Sequence, residues 1–93
     1  MRYILLDVKD NTVTALADLA EGEIVALPGG AAGEPFPLRR GIPYAHKFAA
    51  AFIPKGADVL KYGEVIGEAT QDIPAGEHVH VHNVVGKRAR GGA

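Results

Sequence analysis

The chain alternates short apolar runs with clusters of turn-forming residues, and no apolar stretch is long or helically periodic. Tyr3-Ile4-Leu5-Leu6 gives way at Asp7 to a polar cluster, Lys9-Asp10-Asn11, and apolar positions resume from Val13 to Leu16. This predicts an N-terminal hairpin with Asp7 and Asp10 as solvated turn residues. One pattern then recurs at Leu19–Val25 (LAEGEIV), Ile53–Val59 (IPKGADV) and Ile73–Val79 (IPAGEHV). Each copy reads as an aliphatic anchor, a tight turn needing glycine, and a strand that re-enters the core. Pro54 and Pro74 fix φ near about −65° for such a turn. The uneven spacing of the copies rules out a solenoid repeat. Leu60 to Tyr62 continue the strand begun at Val59, and Gly63 and Gly67 bracket Val65-Ile66 as a short strand between two turns. Lys47 to Ala51 favours helix but is too short to stand alone, leaving room for one helical turn. Pro28 to Gly41 reads as a mobile loop. The expected organisation is one domain over residues 1–86, mostly β with short strands, followed by a flexible basic tail over 87–93.

The densest chemistry lies in the last predicted strand. His78, His80 and His82 alternate with Val79 and Val81. Successive side chains on an extended strand point to opposite faces, so the three imidazoles share one face and both valines take the core face. Residues two apart on a strand stand roughly 6–7 Å apart, close enough for imidazoles to converge on one divalent ion through bonds of about 2.0–2.1 Å. A bare HxHxH pattern also describes a merely exposed polar face. His46 can complete a three-nitrogen set if the fold carries it beside this strand. Lys61 can hold a carboxylate or pair with Glu64. Tyr62 can act as a hydrogen-bond donor or acid, or pack as a half-buried aromatic. Lys47, next to His46, is a candidate for substrate binding. Asn83 either orients a ligand or caps a turn. Arg39 and Arg40 offer guanidinium groups to a carboxylate, or are simply solvated. Glu64, Glu68, Asp72 and Glu77 are candidates for holding an imidazole tautomer.

Composition narrows the chemistry further. Twelve glycines and six prolines in 93 residues favour many turns and short strands over long helices. A net charge of −1 gives no pull toward nucleic acid or an anionic membrane. The first residues form neither a signal peptide nor a membrane span, and the absence of cysteine fits a cytoplasmic protein. With no cysteine and no serine, covalent thiol or serine catalysis is excluded, while acid–base and metal-assisted chemistry stay open.

Ile42-Pro43-Tyr44-Ala45-His46-Lys47, Lys61-Tyr62-Gly63-Glu64-Val65-Ile66-Gly67, Ala69-Thr70 and Gly76-Glu77-His78-Val79-His80-Val81-His82-Asn83 together resemble the altronate/galactarate dehydratase family, in its small N-terminal SAF-type module. The likeness runs from about Asn11 to Val85. Ala45 stands where that family usually has glycine, a residue suited to positive φ or to close approach. The resemblance implies a β-clip fold of short strands and long hairpins. It also implies a divalent metal, iron or manganese, held by His80 and His82 ahead of His78. By this reading Lys61, Tyr62 and His46 are catalytic, and Lys47, Asn83 and Arg40 bind substrate. The partner would be a separate large catalytic subunit acting on a sugar acid of altronate or galactarate type, or on sulfolactate, by β-elimination. Self-association into a homo-oligomer is compatible with it. SAF-type modules also occur in non-catalytic settings, so a binding or assembly module without metal is the alternative.

Overall fold

The computed structural model describes residues 1–27 and 34–86. Among these the regular structure is all strand, without a helix: β1 (Tyr3–Ile4), β2 (Thr12–Ala15), β3 (Ile24–Val25), β4 (Phe36–Pro37), β5 (Lys47–Ala49), β6 (Asp58–Lys61), β7 (Glu64–Ala69), β8 (His78–Val79) and β9 (Val84–Val85). The fold is therefore mostly β, with short strands in antiparallel pairs. They form a four-stranded sheet in the order β1-β2-β5-β8, a β3-β4 pair and a three-stranded sheet β6-β7-β9. The N-terminal hairpin forms as expected. The helical turn allowed for Lys47–Ala51 does not: this segment becomes β5, an inner strand paired with β2 and β8. Sheet pairing and burial outweigh the helix preference of three alanines. The expected basic tail, and residues 28–33 of the predicted loop, lie outside the described residues; the remainder of that loop forms β4 against β3.

The recurring turn organises the core. Leu19, Ile53 and Ile73 are buried anchors, and Gly22, Gly56 and Gly76 have φ of 85°, 87° and 85°. Each turn closes on a backbone bond across four residues: Glu23 to Ala20, Ala57 to Pro54 and Glu77 to Pro74. Pro54 and Pro74 thus occupy the first position of the turn and shape its entry. A fourth copy is present that the glycine pattern hides. Ile42 is its buried anchor, His46 N–H donates to the Pro43 carbonyl, and Ala45 takes the glycine position at φ 70°. The anchors meet in pairs through isolated bridges, Leu19 with Ile42 and Ile53 with Ile73.

Two apolar clusters result. Consecutive residues of β5 divide between them, as side chains alternate across a strand: Phe48 enters the cluster of Val13, Leu19, Leu38 and Ile42, and Ala49 enters that of Ile53, Val59, Ile73 and Val79. β7 runs unbroken through Gly67, where the sequence suggests a turn. A β-carbon there would lie 2.6 Å from the Val85 carbonyl oxygen, so glycine admits β9 instead of ending the strand.

Candidate functional site

The fourth turn delivers His46 to the start of β5, and β5 pairs with β8 in the register Lys47↔Val79 and Phe48↔His78. One step further along the same register sets His46 across from His80. Their rings stack with centroids 4.6 Å apart, and His46 stacks on His78 at 5.0 Å. His46 Nδ1 and His78 Nε2 are 2.9 Å apart, a hydrogen bond whose proton sits on one of the two nitrogens. Nitrogen atoms of His46, His78 and His80 all lie within 4.8 Å of one another. Bonds of about 2.1 Å to a common ion would need nitrogen separations of roughly 3.0–3.4 Å, and the rings, now stacked at interplanar angles of 25°, 24° and 10°, would have to turn out of the stack for their nitrogens to converge.

The histidine-bearing strand is shorter than its sequence pattern suggests. β8 ends at Val79, and a turn over residues 80–83 follows, closed by Asn83 N–H on the His80 carbonyl. Val79 is fully buried, as expected, but Val81 is 82% exposed instead of facing the core. His82 is carried onto this turn and leaves the nitrogen cluster, keeping only a tilted ring contact with His78 at 5.5 Å. The cluster is therefore His46, His78 and His80, with His82 beside it. The chain turns here because Asn83, 1% exposed, satisfies both sides of the bend: its side-chain oxygen accepts from His80 N–H and its amide donates to the His78 carbonyl. Asn83 is a turn cap, and its amide is spent on backbone instead of facing a substrate.

Burial holds His78 well below the ordinary imidazole range, at about 4, aided by the neighbouring His46, His80 and His82 and opposed by Glu77. His80 is also lowered, by desolvation first and then by His46, Lys47 and His82. Neutral imidazoles are the ligand form, so the cluster is poised to accept a cation near neutral pH without first losing protons at these two rings.

Lys47, half-buried, lines a shallow cleft of about 250 Å³ with His80, Val79, Val81, Ile66, Val84 and Gly86. Its ammonium is lowered from its ordinary value by burial and then by the charge of Lys61. Lys47 is thus placed at the cleft beside His80, with the charge of Lys61 acting on it. Tyr62 is not: it sits at the β6–β7 hairpin tip, 66% exposed, at φ 59° and followed by Gly63 at 72°. These values match the two-residue hairpin turn that requires positive φ twice. Tyr62 is accordingly exposed and not the half-buried aromatic its sequence allowed. Arg40 is held by Glu77 at 2.6 Å, with Arg39 at 3.9 Å from the same carboxylate, so both guanidinium groups already have an anion. Asp72 accepts from Lys55 N–H.

Sequence reasoning missed the residues that hold the Lys61 hairpin in place. Asp10 is buried and accepts Tyr62 N–H at 2.8 Å and Gly63 N–H at 2.7 Å, where a solvated turn residue was expected. Asn11 bonds both Asp58 and Leu60 backbone, and Thr12 donates to the Leu60 carbonyl. Their partners lie about fifty residues away, and nothing in the local pattern announces them.

Comparison with known proteins returns the same neighbourhood. The family model described as the altronate/galactarate dehydratase SAF domain matches residues 1–87. An altronate dehydratase of Escherichia coli (strain K12) is 48% identical over 83 residues, covering 89% of this chain but 16% of that protein. An altronate dehydratase of Bacillus subtilis (strain 168) is 38% identical over 81 residues, again 16% of its length. A (2R)-sulfolactate sulfo-lyase subunit alpha of Chromohalobacter salexigens is 45% identical over 53 residues, 57% of this chain and 56% of the relative. The chain thus spans about a sixth of the altronate dehydratases it matches.

Proposed function

The chain belongs to the altronate/galactarate dehydratase SAF domain family, and from that premise we propose that it is the small module of a hydroxy-acid dehydratase or lyase, completed by a separate larger catalytic chain. The substrate is a sugar acid of altronate or galactarate type, or sulfolactate, and the reaction is β-elimination. One observation supports this reading above the others: His46, His78 and His80 gather their nitrogens within 4.8 Å of one another beside a cleft that Lys47 lines.

The residues fit a borderline divalent ion, since three nitrogen donors of one kind lie within 4.8 Å of one another and two of the rings are held toward their neutral form. His46, His78 and His80 would hold iron or manganese, which when bound supplies Lewis acidity toward a hydroxy-acid oxygen. Lys47 places positive charge at one wall of the cleft, with the Lys61 charge acting on it, and together they would attract the substrate carboxylate. Charge there also opposes the negative charge that builds on the carboxylate side as the neighbouring proton leaves. Lys61 acts by this charge, and Tyr62 stays at the hairpin tip. The cleft is too shallow to enclose a sugar acid, so the larger chain contributes the rest of the acid–base set.

The test is reconstitution. The chain is assayed alone and with its dehydratase-type larger chain, with and without iron or manganese, for formation of a 2-keto acid from altronate or galactarate and for sulfite release from sulfolactate. Turnover only by the metal-loaded pair is expected. Turnover by the 93-residue chain alone would overturn the two-part reading, and a metal-free chain that still binds and assembles with other partners would favour a non-catalytic module.

A further inference from the structure

The imidazole cluster opens onto an apolar patch. Val65, Ile66 and Val81 are 43%, 37% and 82% exposed. They line two adjoining hollows of about 270 and 250 Å³ that share Ile66 and Gly86, and the second of these includes His80 and Lys47. Other exposed apolar side chains, such as Ile24 and Phe52, line neither hollow. Single exposed apolar residues are ordinary on a protein surface, but a contiguous group bordering a chemically capable cleft marks a contact.

We propose that the face carrying Val65, Ile66 and Val81 is the seat of the larger catalytic chain, so that docking closes the histidine cluster off from water. This rests on the two-part reading above and adds to it the place of contact. The occupant follows from two features. In the altronate dehydratases the matched module is 16% of the protein, so most of each relative lies outside this module and has to meet it somewhere. His80, one of the three clustered imidazoles, and Lys47 also line an open cleft, and a site for proton abstraction works best when water is excluded and missing groups are brought in. A second copy of this chain in the same place would cover the cleft with another half-site and supply none of those groups.

The test places a benzophenone amino acid at Val81, at Ile66 or at Ile24, in cells that produce the chain and its dehydratase-type larger chain, and identifies photo-crosslinked products by mass spectrometry. Crosslinking of the larger chain from Val81 and Ile66 but not from Ile24 is expected. In parallel, Val81→Lys with Ile66→Lys should reduce co-purification of the larger chain at least about tenfold, while Ile24→Lys leaves it unchanged and circular dichroism shows each variant folded. Capture of the larger chain from Ile24 alone overturns the assigned face while leaving the two-part reading intact. Capture of a second copy from Val81 assigns the face to self-association and overturns the proposal. Failure to capture or co-purify the larger chain with any variant or with the wild type overturns both.

Discussion

His46 Nδ1 and His78 Nε2 meet at 2.9 Å although 32 residues separate them in the chain. The contact exists because the fourth turn ends at His46 just where β5 pairs with β8. It makes His46 a member of the cluster and leaves His82 outside it. His46→Ala and His78→Ala should each weaken manganese or iron binding by at least about a hundredfold, because ligand loss exceeds the 10–100-fold cost typical of an outer partner. His82→Ala should change it by no more than about threefold. Isothermal titration of the purified chain with each metal decides between this set and His78/His80/His82: a large loss in His82→Ala with wild-type affinity in His46→Ala would reverse the assignment.

Acid should destabilise the metal-free protein through His78. Its folded-state value of about 4 lies below its ordinary 6.5, so between these pH values the unfolded chain binds a proton that the folded chain refuses. Stability therefore falls as pH drops through that window and levels off once His78 is protonated in both states. Urea midpoints measured at pH 7, 5.5 and 4 should decline, and His78→Gln should flatten the decline. An unchanged slope in that variant would assign the acid sensitivity to other groups.

Patterns that repeat or alternate were readable, and features set by distant partners were not. Glycine at three spaced turns and alternation along short runs suffice for a mostly β domain, since φ above zero and core-facing alternation are local requirements. The fourth turn escaped because Ala45 breaks the glycine pattern while adopting the same conformation, φ 70°. His78 to Val81 looks like continuous strand in one dimension. Asn83 bends it, and the bend depends on a side chain fitting two backbone groups in a buried place. Gathering His78 and His80 with His46 needed the β5–β8 register, which no local pattern contains.

Asn83→Ala should be costly for its size. It leaves His80 N–H and the His78 carbonyl without their partner in a buried position, and each unsatisfied buried group costs about 1–3 kcal/mol. A loss of roughly 2–4 kcal/mol corresponds to a fall in Tm on the order of 10–25 °C for a domain of this size. Metal affinity should fall as well, since the bend aims His80. A Tm within a few degrees of wild type would show that the turn is held by something else.

Ala45→Gly should stabilise. Alanine at φ 70° carries a left-handed strain of about 1–2 kcal/mol, partly offset by the about 0.4–1 kcal/mol of extra unfolded-state freedom that glycine brings. A net gain of roughly 0.5–1 kcal/mol is expected in chemical denaturation. The converse change at Gly76 should be far worse than at Gly22. A β-carbon at Gly76 would lie 2.4 Å from the Pro37 carbonyl oxygen, whereas at Gly22 it would meet nothing within 4 Å. Gly22→Ala then costs only backbone strain net of the lost unfolded-state freedom, roughly 0.5–1 kcal/mol, and Gly76→Ala adds a collision with backbone. Equal losses at the two positions would refute the packing difference.

Asp10→Ala tests whether the Lys61 hairpin is held from the first sheet. The Asp10 carboxylate accepts both turn N–H groups of Tyr62 and Gly63, and Asn11 and Thr12 bond the β6 backbone beside it. Bonds to a charged acceptor contribute about 1.5–3 kcal/mol, so the substitution should cost about 3 kcal/mol once partial re-solvation of the turn is allowed for. Asp10→Asn keeps one accepting oxygen and loses the charge, so it should fall between. Amide exchange provides the local readout: Tyr62 and Gly63 should lose protection well before Val13 and Phe48 in the core. If protection at the hairpin tip is unchanged in Asp10→Ala, the β6–β7 turn holds its own shape, and Lys61 is placed by the hairpin instead of by the N-terminal polar cluster.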